Sequence, residues 1–356
     1  MHNQVNVKVL FATASTRGGG AERMLFNIIR SLDSNHTKHL FVTSNDEVPE
    51  VYKDDVETIY ARKKHAIQAF PLLLKKLRSF KPHYVFTTSS NVGYMLVLAK
   101  KILGAKFSVF IRCAVPPSEI YSSGFKSKIL RKVIRMTYNS ADMIISQSEK
   151  MRADLIDSYS LRPAKVKTIR NIIDKGFIKE QAQKNVASEI SPDNYNIVAA
   201  GALYSVKGFD ILIDAIAPLL KDSNKHLYIL GEERYEKGYR EFLQNKIDRL
   251  GVTPNIHLLG HKTNPYPYLA MADLFVMSSR KEGYPNVVLE SLALGAPVVA
   301  TNVVDFSGVI IDGLNGFTVQ KESVEELRSG IEKAFHTEFN LTKHSIDNFD
   351  YNTLFI

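Results

Sequence analysis

Two glutamates, Glu282 and Glu290, stand with seven residues between them in the run Ser278 to Glu290, SSRKEGYPNVVLE. The apolar stretch before it, Leu274 to Met277, reads as a buried strand. Proline is favoured in the first helical turn, so a helix begins near Pro285 and Asn286. The backbone N–H groups of Asn286, Val287 and Val288 would open that helix, and with its dipole they suit a phosphate. Glu282 then stands in the turn before the helix, and Glu290 about one turn inside it. A carboxylate there can accept two hydrogen bonds from vicinal hydroxyls, as a ribose offers. The plainer alternative is that both acids complement the helix dipole.

Two further runs could meet a phosphate. Gly18-Gly19-Gly20-Ala21-Glu22-Arg23 lies between a strand, Val7 to Thr13, and a helix from Ala21 to about Leu32. Glycines let a backbone approach a ligand closely, although a structural tight turn would use the same residues. No Gly-Lys-Ser/Thr follows, so it is not a Walker A loop, and the glycines lack the spacing of a dinucleotide fingerprint. Gly201 to Phe209, GALYSVKGF, also joins a strand to a helix. Its Lys207 could carry an ammonium to a phosphate, or could be a solvated lysine beside a helix-start glycine.

The elements that must position these groups alternate along the chain. Strands are expected at His39 to Ser44, Tyr84 to Thr88, Phe107 to Ile111 and Met143 to Ser146, with helical patterns between most of them. A second series runs through Asn196 to Ala200, His226 to Leu230, Ile256 to Leu259, Leu274 to Met277 and Pro297 to Ala300. Short continuous apolar runs of this kind are typical of buried parallel strands. The chain therefore reads as α/β, with two Rossmann-like, doubly wound parallel-sheet domains and a cleft between them. The polar stretch Arg170 to Asn194 is the expected linker. The domains are then 1–175 and 176–338, with 339–356 a C-terminal segment expected to form a helix that returns to the first domain.

Charge separates the halves. Residues 1–175 carry a formal +15 and residues 176–356 carry −6, within a total of +9. Gly124 to Tyr138, GFKSKILRKVIRMTY, and Phe70 to Phe80, FPLLLKKLRSF, are basic and amphipathic at helical spacing. Such helices suit an anionic membrane surface, or a core with a solvated basic face. No zinc-finger spacing and no aromatic RNA-stacking motif is present, so nucleic acid is not the expected partner. Cys113 is the one cysteine, which excludes a disulfide framework and a cysteine-based metal site. No apolar run approaches the roughly 20 residues that span a bilayer. Met1 to Asn6 is polar and lacks the core of a signal peptide, so a cytoplasmic location is expected.

The ordered set of motifs resembles the retaining glycosyltransferases of family 4, which have the GT-B fold. Glu282 and Glu290 match that family's glutamate pair. Gly-Gly-Ala-Glu-Arg at 19–23, Lys207-Gly208, Ala272-Asp273, Gly295-Ala296-Pro297-Val298-Val299 and Gly313-Leu314-Asn315-Gly316-Phe317 match further motifs. The resemblance covers nearly the whole chain and implies a nucleotide-sugar donor, UDP-linked, with a glycan or lipid-linked acceptor in bacterial surface polysaccharide synthesis. It places Glu290 on the ribose and Glu282 on the donor sugar. Lys207 and the amides of Asn286 to Val288 fall on the diphosphate, with Gly19 and Gly20 beside it. His261, Lys262 and Thr263 lie by the base, and Gly283, Tyr284 and Pro285 complete the donor loop. Glu282, Lys207 and Arg112 are the catalytic candidates.

Two departures stand out. The family carries an arginine where this chain has Ala202, and Arg280 is a candidate substitute in the diphosphate clamp. Many members have a histidine after the fourth strand, where this chain has Ile111-Arg112-Cys113, so Arg112 is a candidate sugar or phosphate contact. No Asp-x-Asp motif lies in a suitable loop, and a lysine with a helix dipole can replace a metal, so no cofactor or metal ion is expected. The competing readings are the same fold acting on a soluble acceptor, a non-catalytic nucleotide-sugar binding protein, and a nucleotide-sugar epimerase. Peripheral attachment at the inner face of the cell membrane would fit the basic half.

Overall fold

The structure is a computed structural model that describes residues 6–16, 19–114, 125–184, 187–221, 224–341 and 348–356. Arg17, Gly18 and Gly124 lie outside the described residues. The chain forms two compact units, Met1–Ile173 with Asn348–Ile356, and Asp174–Asp347.

The first unit holds a seven-stranded sheet in the order β3-β2-β1-β4-β5-β6-β7, every pair parallel. Its strands are β1 (Val7–Thr13), β2 (His36–Val42), β3 (Glu57–Tyr60), β4 (Tyr84–Thr87), β5 (Ser108–Arg112), β6 (Met143–Ser146) and β7 (Val166–Thr168). Its helices are α1 (Gly20–Ser31), α2 (Phe70–Phe80), α3 (Ser90–Leu103), α4 (Phe125–Ser140) and α5 (Glu149–Tyr159). Successive strand residues face opposite ways. Leu10, Val85 and Ile111 therefore join a core with Leu73 of α2, Leu96 of α3, Tyr138 of α4 and Leu155 of α5.

The opposite face carries Phe11, Phe86 and Phe110, and Phe355 closes over them. Its ring centroid lies 6.1, 6.0 and 5.9 Å from theirs. The C-terminal segment thus packs on the first sheet. Of the expected C-terminal helix, residues 342–347 lie outside the described residues, and 348–356 hold a 3-10 turn, Tyr351–Leu354. Asp350 accepts from the Asn352 backbone at 3.0 Å, and Asn348 bonds both the N–H and the carbonyl of Ile173. The Asp350 bond, to a backbone N–H two residues on, is the local kind that favours a turn over a helix.

The second unit holds a six-stranded parallel sheet in the order β10-β9-β8-β11-β12-β13. Its strands are β8 (Tyr195–Ala200), β9 (Lys225–Leu230), β10 (Ile256–Gly260), β11 (Leu274–Met277), β12 (Val298–Thr301) and β13 (Gly316–Val319). Its helices are α6 (Lys175–Lys184), α7 (Phe209–Leu220), α8 (Tyr239–Leu250), α9 (Tyr266–Ala270), α10 (Asn286–Leu294) and α11 (Val324–Phe335). Strand order reverses between β1 and β4 in the first sheet, and between β8 and β11 in the second. At such a switch point neighbouring loops diverge and leave a crevice at the carboxyl ends of the strands, where ligands bind in open α/β sheets.

Candidate active site

The loops carrying Lys207 and Glu282 leave the carboxyl ends of β8 and β11, which are neighbours at the second switch point. Three contacts stitch the loops together. Ser278 Oγ donates to the Lys207 carbonyl at 3.0 Å, and the Arg280 N–H donates to the Val206 carbonyl at 2.8 Å. Gly208 has φ +65°, and a Cβ built on it would meet the Ser278 carbonyl oxygen at 2.1 Å. Glycine is required there both by the left-handed backbone and by the close approach.

Lys207 Nζ donates to Glu282 Oε1 at 2.6 Å, and both side chains are largely buried. Ser279 Oγ donates to the same oxygen at 2.7 Å. Ser279 is itself held, because its carbonyl accepts from Thr301 Oγ1 at 2.6 Å. Ser279 is a site residue that the sequence reading missed. It stood inside the motif, but nothing in its type showed that its hydroxyl turns toward Glu282. The Lys207 stem runs along Gly201, where a Cβ would come within 3.2 Å of Cε.

Helix α10 begins at Asn286, with Pro285 before it and no side chain capping its first turn. The Val288 N–H closes a turn onto the Pro285 carbonyl at 3.2 Å. Tyr284, Asn286 and Val288 are buried, and Gly283 and Val287 are half-buried. Glu290 lies one turn into the helix and is only 1% exposed, so a ribose reaches its carboxylate only if the groups covering it give way.

Three expected ligand cations are engaged elsewhere. Arg280 forms a two-pronged pair with Asp210, Nη1 to Oδ1 at 2.8 Å and Nη2 to Oδ2 at 2.7 Å. It therefore does not stand open as the substitute for the missing clamp arginine. Lys262 is paired with Glu189, which also accepts from Tyr268 Oη at 2.8 Å. The hydrogen bonds from Lys262 and then Tyr268 hold the Glu189 carboxyl at about 2. His261 and Thr263, on either side, are exposed.

Arg112 is 1% exposed and donates through Nη2 to Asn171 Oδ1. Burial pulls its pKa down, opposed by the phenol of Tyr351 from the C-terminal segment. Arg112 is the last residue of β5, at the carboxyl end of the strand, and within the first unit its side chain is enclosed beside Asn171 and Tyr351. In the same unit, Gly19 stands before α1 and its carbonyl accepts from the Arg23 N–H at 2.9 Å. A Cβ on Gly20 would meet open space, so packing within the chain does not demand glycine there.

A hollow of about 620 Å³ in the first unit is lined by Arg78, Lys81, Lys106 and Tyr84 among others. It lies at the amino ends of β4 and β5, whereas Gly19 follows the carboxyl end of β1. Its cations sit at the carboxyl ends of α2 and α3, where they complement the helix dipoles. Among the described residues, no group of three or more His, Cys, Asp or Glu side chains could hold a metal ion.

The fold is shared with known proteins. The model for family 4 glycosyltransferases matches residues 18–177, and the model for group 1 glycosyl transferases matches residues 194–337. An uncharacterised glycosyltransferase of Methanocaldococcus jannaschii is 30% identical over 65% of this chain, a match spanning 58% of that relative's length. The Campylobacter jejuni N-acetylgalactosamine-N,N'-diacetylbacillosaminyl-diphospho-undecaprenol 4-alpha-N-acetylgalactosaminyltransferase is 29% identical over 81% of this chain and 79% of its own. Among solved structures, Anabaena HepE with UDP and glucose superposes with a TM-score of 0.77 at 19% identity, over 95% of this chain and 96% of that one. With a glycosyltransferase model on each parallel-sheet unit, the chain belongs to the family 4 type of glycosyltransferases and has the GT-B fold.

Proposed function

We propose that this glycosyltransferase moves a sugar, with retention, from a UDP-sugar to a glycan or lipid-linked acceptor in bacterial surface polysaccharide or glycoconjugate synthesis. The observation that carries the proposal is the Lys207–Glu282 pair at the switch point of the second sheet. The UDP complex of the Anabaena structure and the diphospho-undecaprenol substrate in the Campylobacter enzyme's name support the donor and acceptor classes.

In the proposed step, the bond from the anomeric carbon to the diphosphate oxygen breaks. The bond to the acceptor oxygen forms on the same face, and the acceptor proton passes to the leaving phosphate oxygen. The departing diphosphate gathers charge, and stabilising it is the main electrostatic task. The Lys207 ammonium and the amino end of α10 supply positive charge for it. Glu282 receives the sugar hydroxyls and faces a centre with oxocarbenium character. Glu290 takes the ribose hydroxyls. Because the lysine and the helix end do the work of a cation, activity is expected to persist in EDTA.

The membrane reading gains support from α4. Ile134, Thr137 and Tyr138 pack inward, yet Ile129, Val133 and Met136, at i, i+4 and i+7, are 51%, 36% and 62% exposed beside exposed Lys128, Arg131, Lys132 and Arg135. A second apolar stripe outside the packed face, flanked by cations, suits an anionic lipid surface. Helix α2 differs, because Leu73, Leu77 and Phe80 all turn inward. Peripheral attachment at the inner membrane face is therefore proposed through α4. No helix among the described residues is long and apolar enough to cross a membrane.

The test is a thermal-shift screen over nucleotide sugars, followed by NMR of the product anomer formed from the donor that binds. An inverted linkage, or stabilisation by no UDP-sugar, would overturn the proposal. Co-sedimentation with phosphatidylglycerol vesicles, compared with a Met136→Glu variant, tests the membrane part. Equal binding of the two proteins, or no binding by either, would remove it.

A further inference from the structure

We propose that Arg280 is a positioning residue that, through Asp210, sets the placement of Lys207 against Glu282 without touching the donor. The inference rests on the reading that Lys207 and Glu282 hold the donor.

Lys207 and Glu282 are 75 residues apart and sit on different loops. An ammonium on a flexible four-carbon stem is costly to order, and a site that stabilises a diphosphate gains most when its charge is already in place. The Arg280–Asp210 pair is a second rung between the same two loops. Arg280 stands two residues before Glu282, and Asp210 three residues after Lys207.

The rung is rigid for three reasons. A planar guanidinium meeting a carboxylate with two parallel bonds fixes direction as well as distance. Arg280 Nη1 also donates to the Ser205 carbonyl, and its backbone N–H donates to Val206, so the Lys207 turn is held at two further points. Asp210 is in the first turn of α7 and accepts from Tyr239 Oη of α8 at 3.0 Å, which anchors it to the helical layer. Burial pushes the Asp210 carboxyl up, but the hydrogen bonds and charge of Arg280 outweigh this and hold it down.

Three of the five guanidinium N–H donors are engaged in this arrangement. Nη1 serves Asp210 and Ser205, Nη2 serves Asp210, and Nε lies 3.8 Å from a Glu322 carboxylate oxygen. A phosphate making a two-pronged contact through Nη1 and Nη2 would have to displace Asp210. Asp210, Tyr239 and Arg280 thus form a unit whose effect on the donor passes through Lys207.

The test is a double-mutant cycle on UDP affinity, measured by isothermal titration of the full chain. Arg280→Ala is expected to weaken UDP by about tenfold, and Lys207→Met by at least as much. The double variant should be no weaker than Lys207→Met alone. Asp210→Asn, which keeps the shape but loses the ion pair, should reproduce Arg280→Ala and guards against misfolding of the larger truncation. Arg280→Lys should not restore affinity, because an ammonium cannot make the two-pronged bond.

Multiplying losses in the double variant, or rescue by Arg280→Lys, would show a direct phosphate contact and overturn the positioning role. Unchanged UDP affinity in Arg280→Ala with only a lower melting temperature would reduce it to a structural pair. If Lys207→Met itself leaves UDP affinity intact, the donor-site reading falls, and this inference falls with it.

Discussion

Gly208 and Ser278 approach so closely that a single methyl on Gly208 would lie 2.1 Å from the Ser278 carbonyl oxygen. This contact joins the loop after β8 to the end of β11, and the Lys207–Glu282 pair forms just beyond it. Gly208→Ala should therefore damage both stability and site. Strain at a left-handed position costs about 1–3 kcal/mol, before the clash is counted. Urea unfolding should show the loss, and UDP binding should weaken even in the folded fraction. Normal stability and affinity would mean that the two loops separate without consequence.

Removing the Lys207 ammonium should cost turnover more than stability. Loss of one electrostatic stabiliser of a developing charge lowers kcat by about 10²–10³-fold. Lys207→Met should show that drop in UDP-sugar turnover, with a melting temperature close to that of the parent. Glu282→Gln keeps the size of the side chain and can still accept from Ser279, so it should keep UDP affinity while losing transfer. Kinetics and UDP titration on the same two proteins separate these outcomes.

Arg112 should behave as a core residue. Replacing it by lysine leaves Asn171 with an acceptor that a shorter, differently shaped cation cannot meet in the same geometry. Breaking a hydrogen bond to a buried charged group costs about 1.5–3 kcal/mol. Chemical denaturation of Arg112→Lys should show a loss of that order, with kcat/KM of the folded protein unchanged. A selective kinetic loss at full stability would return Arg112 to the reacting centre.

The C-terminal segment should stabilise the first unit. Phe355 is 1% exposed against Phe11, Phe86 and Phe110. Phenylalanine to alanine in a packed core costs about 3–5 kcal/mol. Calorimetry of Phe355→Ala should show the first unit melting earlier while the second keeps its transition. Loss of both transitions together would mean that the two units unfold as one.

Glu189 gives a pH dependence with a definite sign. Its carboxyl is held at about 2, below its ordinary value of 4.5. A depressed carboxylate contributes stability above its unfolded pKa, and the contribution disappears as pH falls through the folded one. The loss should lie between pH about 4.5 and 2. The pair is partly exposed, so screening limits it to about 0.5 kcal/mol. Urea midpoints measured across that window should fall less steeply in Glu189→Gln than in the parent protein.

Much of the architecture was legible in the order of residues because buried parallel strands must be apolar on both faces. The runs at Val7–Thr13, Tyr195–Ala200 and Leu274–Met277 announce themselves in this way. Strands β3, β7 and β13 did not, because they lie at the sheet edges and read as the short, mixed segments ETIY, VKT and GFTV. The glycine-bounded loops, the lysine before Gly208 and the two glutamates were also readable, since residue type decides what a group can do chemically.

Tertiary structure alone decided which charged groups are already occupied. In the sequence, Lys207, Arg280, Lys262 and Arg112 are four equivalent cations. In the fold, Lys207 meets Glu282, Arg280 meets Asp210, Lys262 meets Glu189, and Arg112 is enclosed beside Asn171. Those partners are separated by between 59 and 75 residues and meet only in the fold, Lys207 and Arg280 meeting theirs because the ends of β8 and β11 are neighbours in a sheet. Spacing along the chain carries no information about such encounters. The pairing of charges, and with it the role of each cation, is therefore a property of the folded molecule.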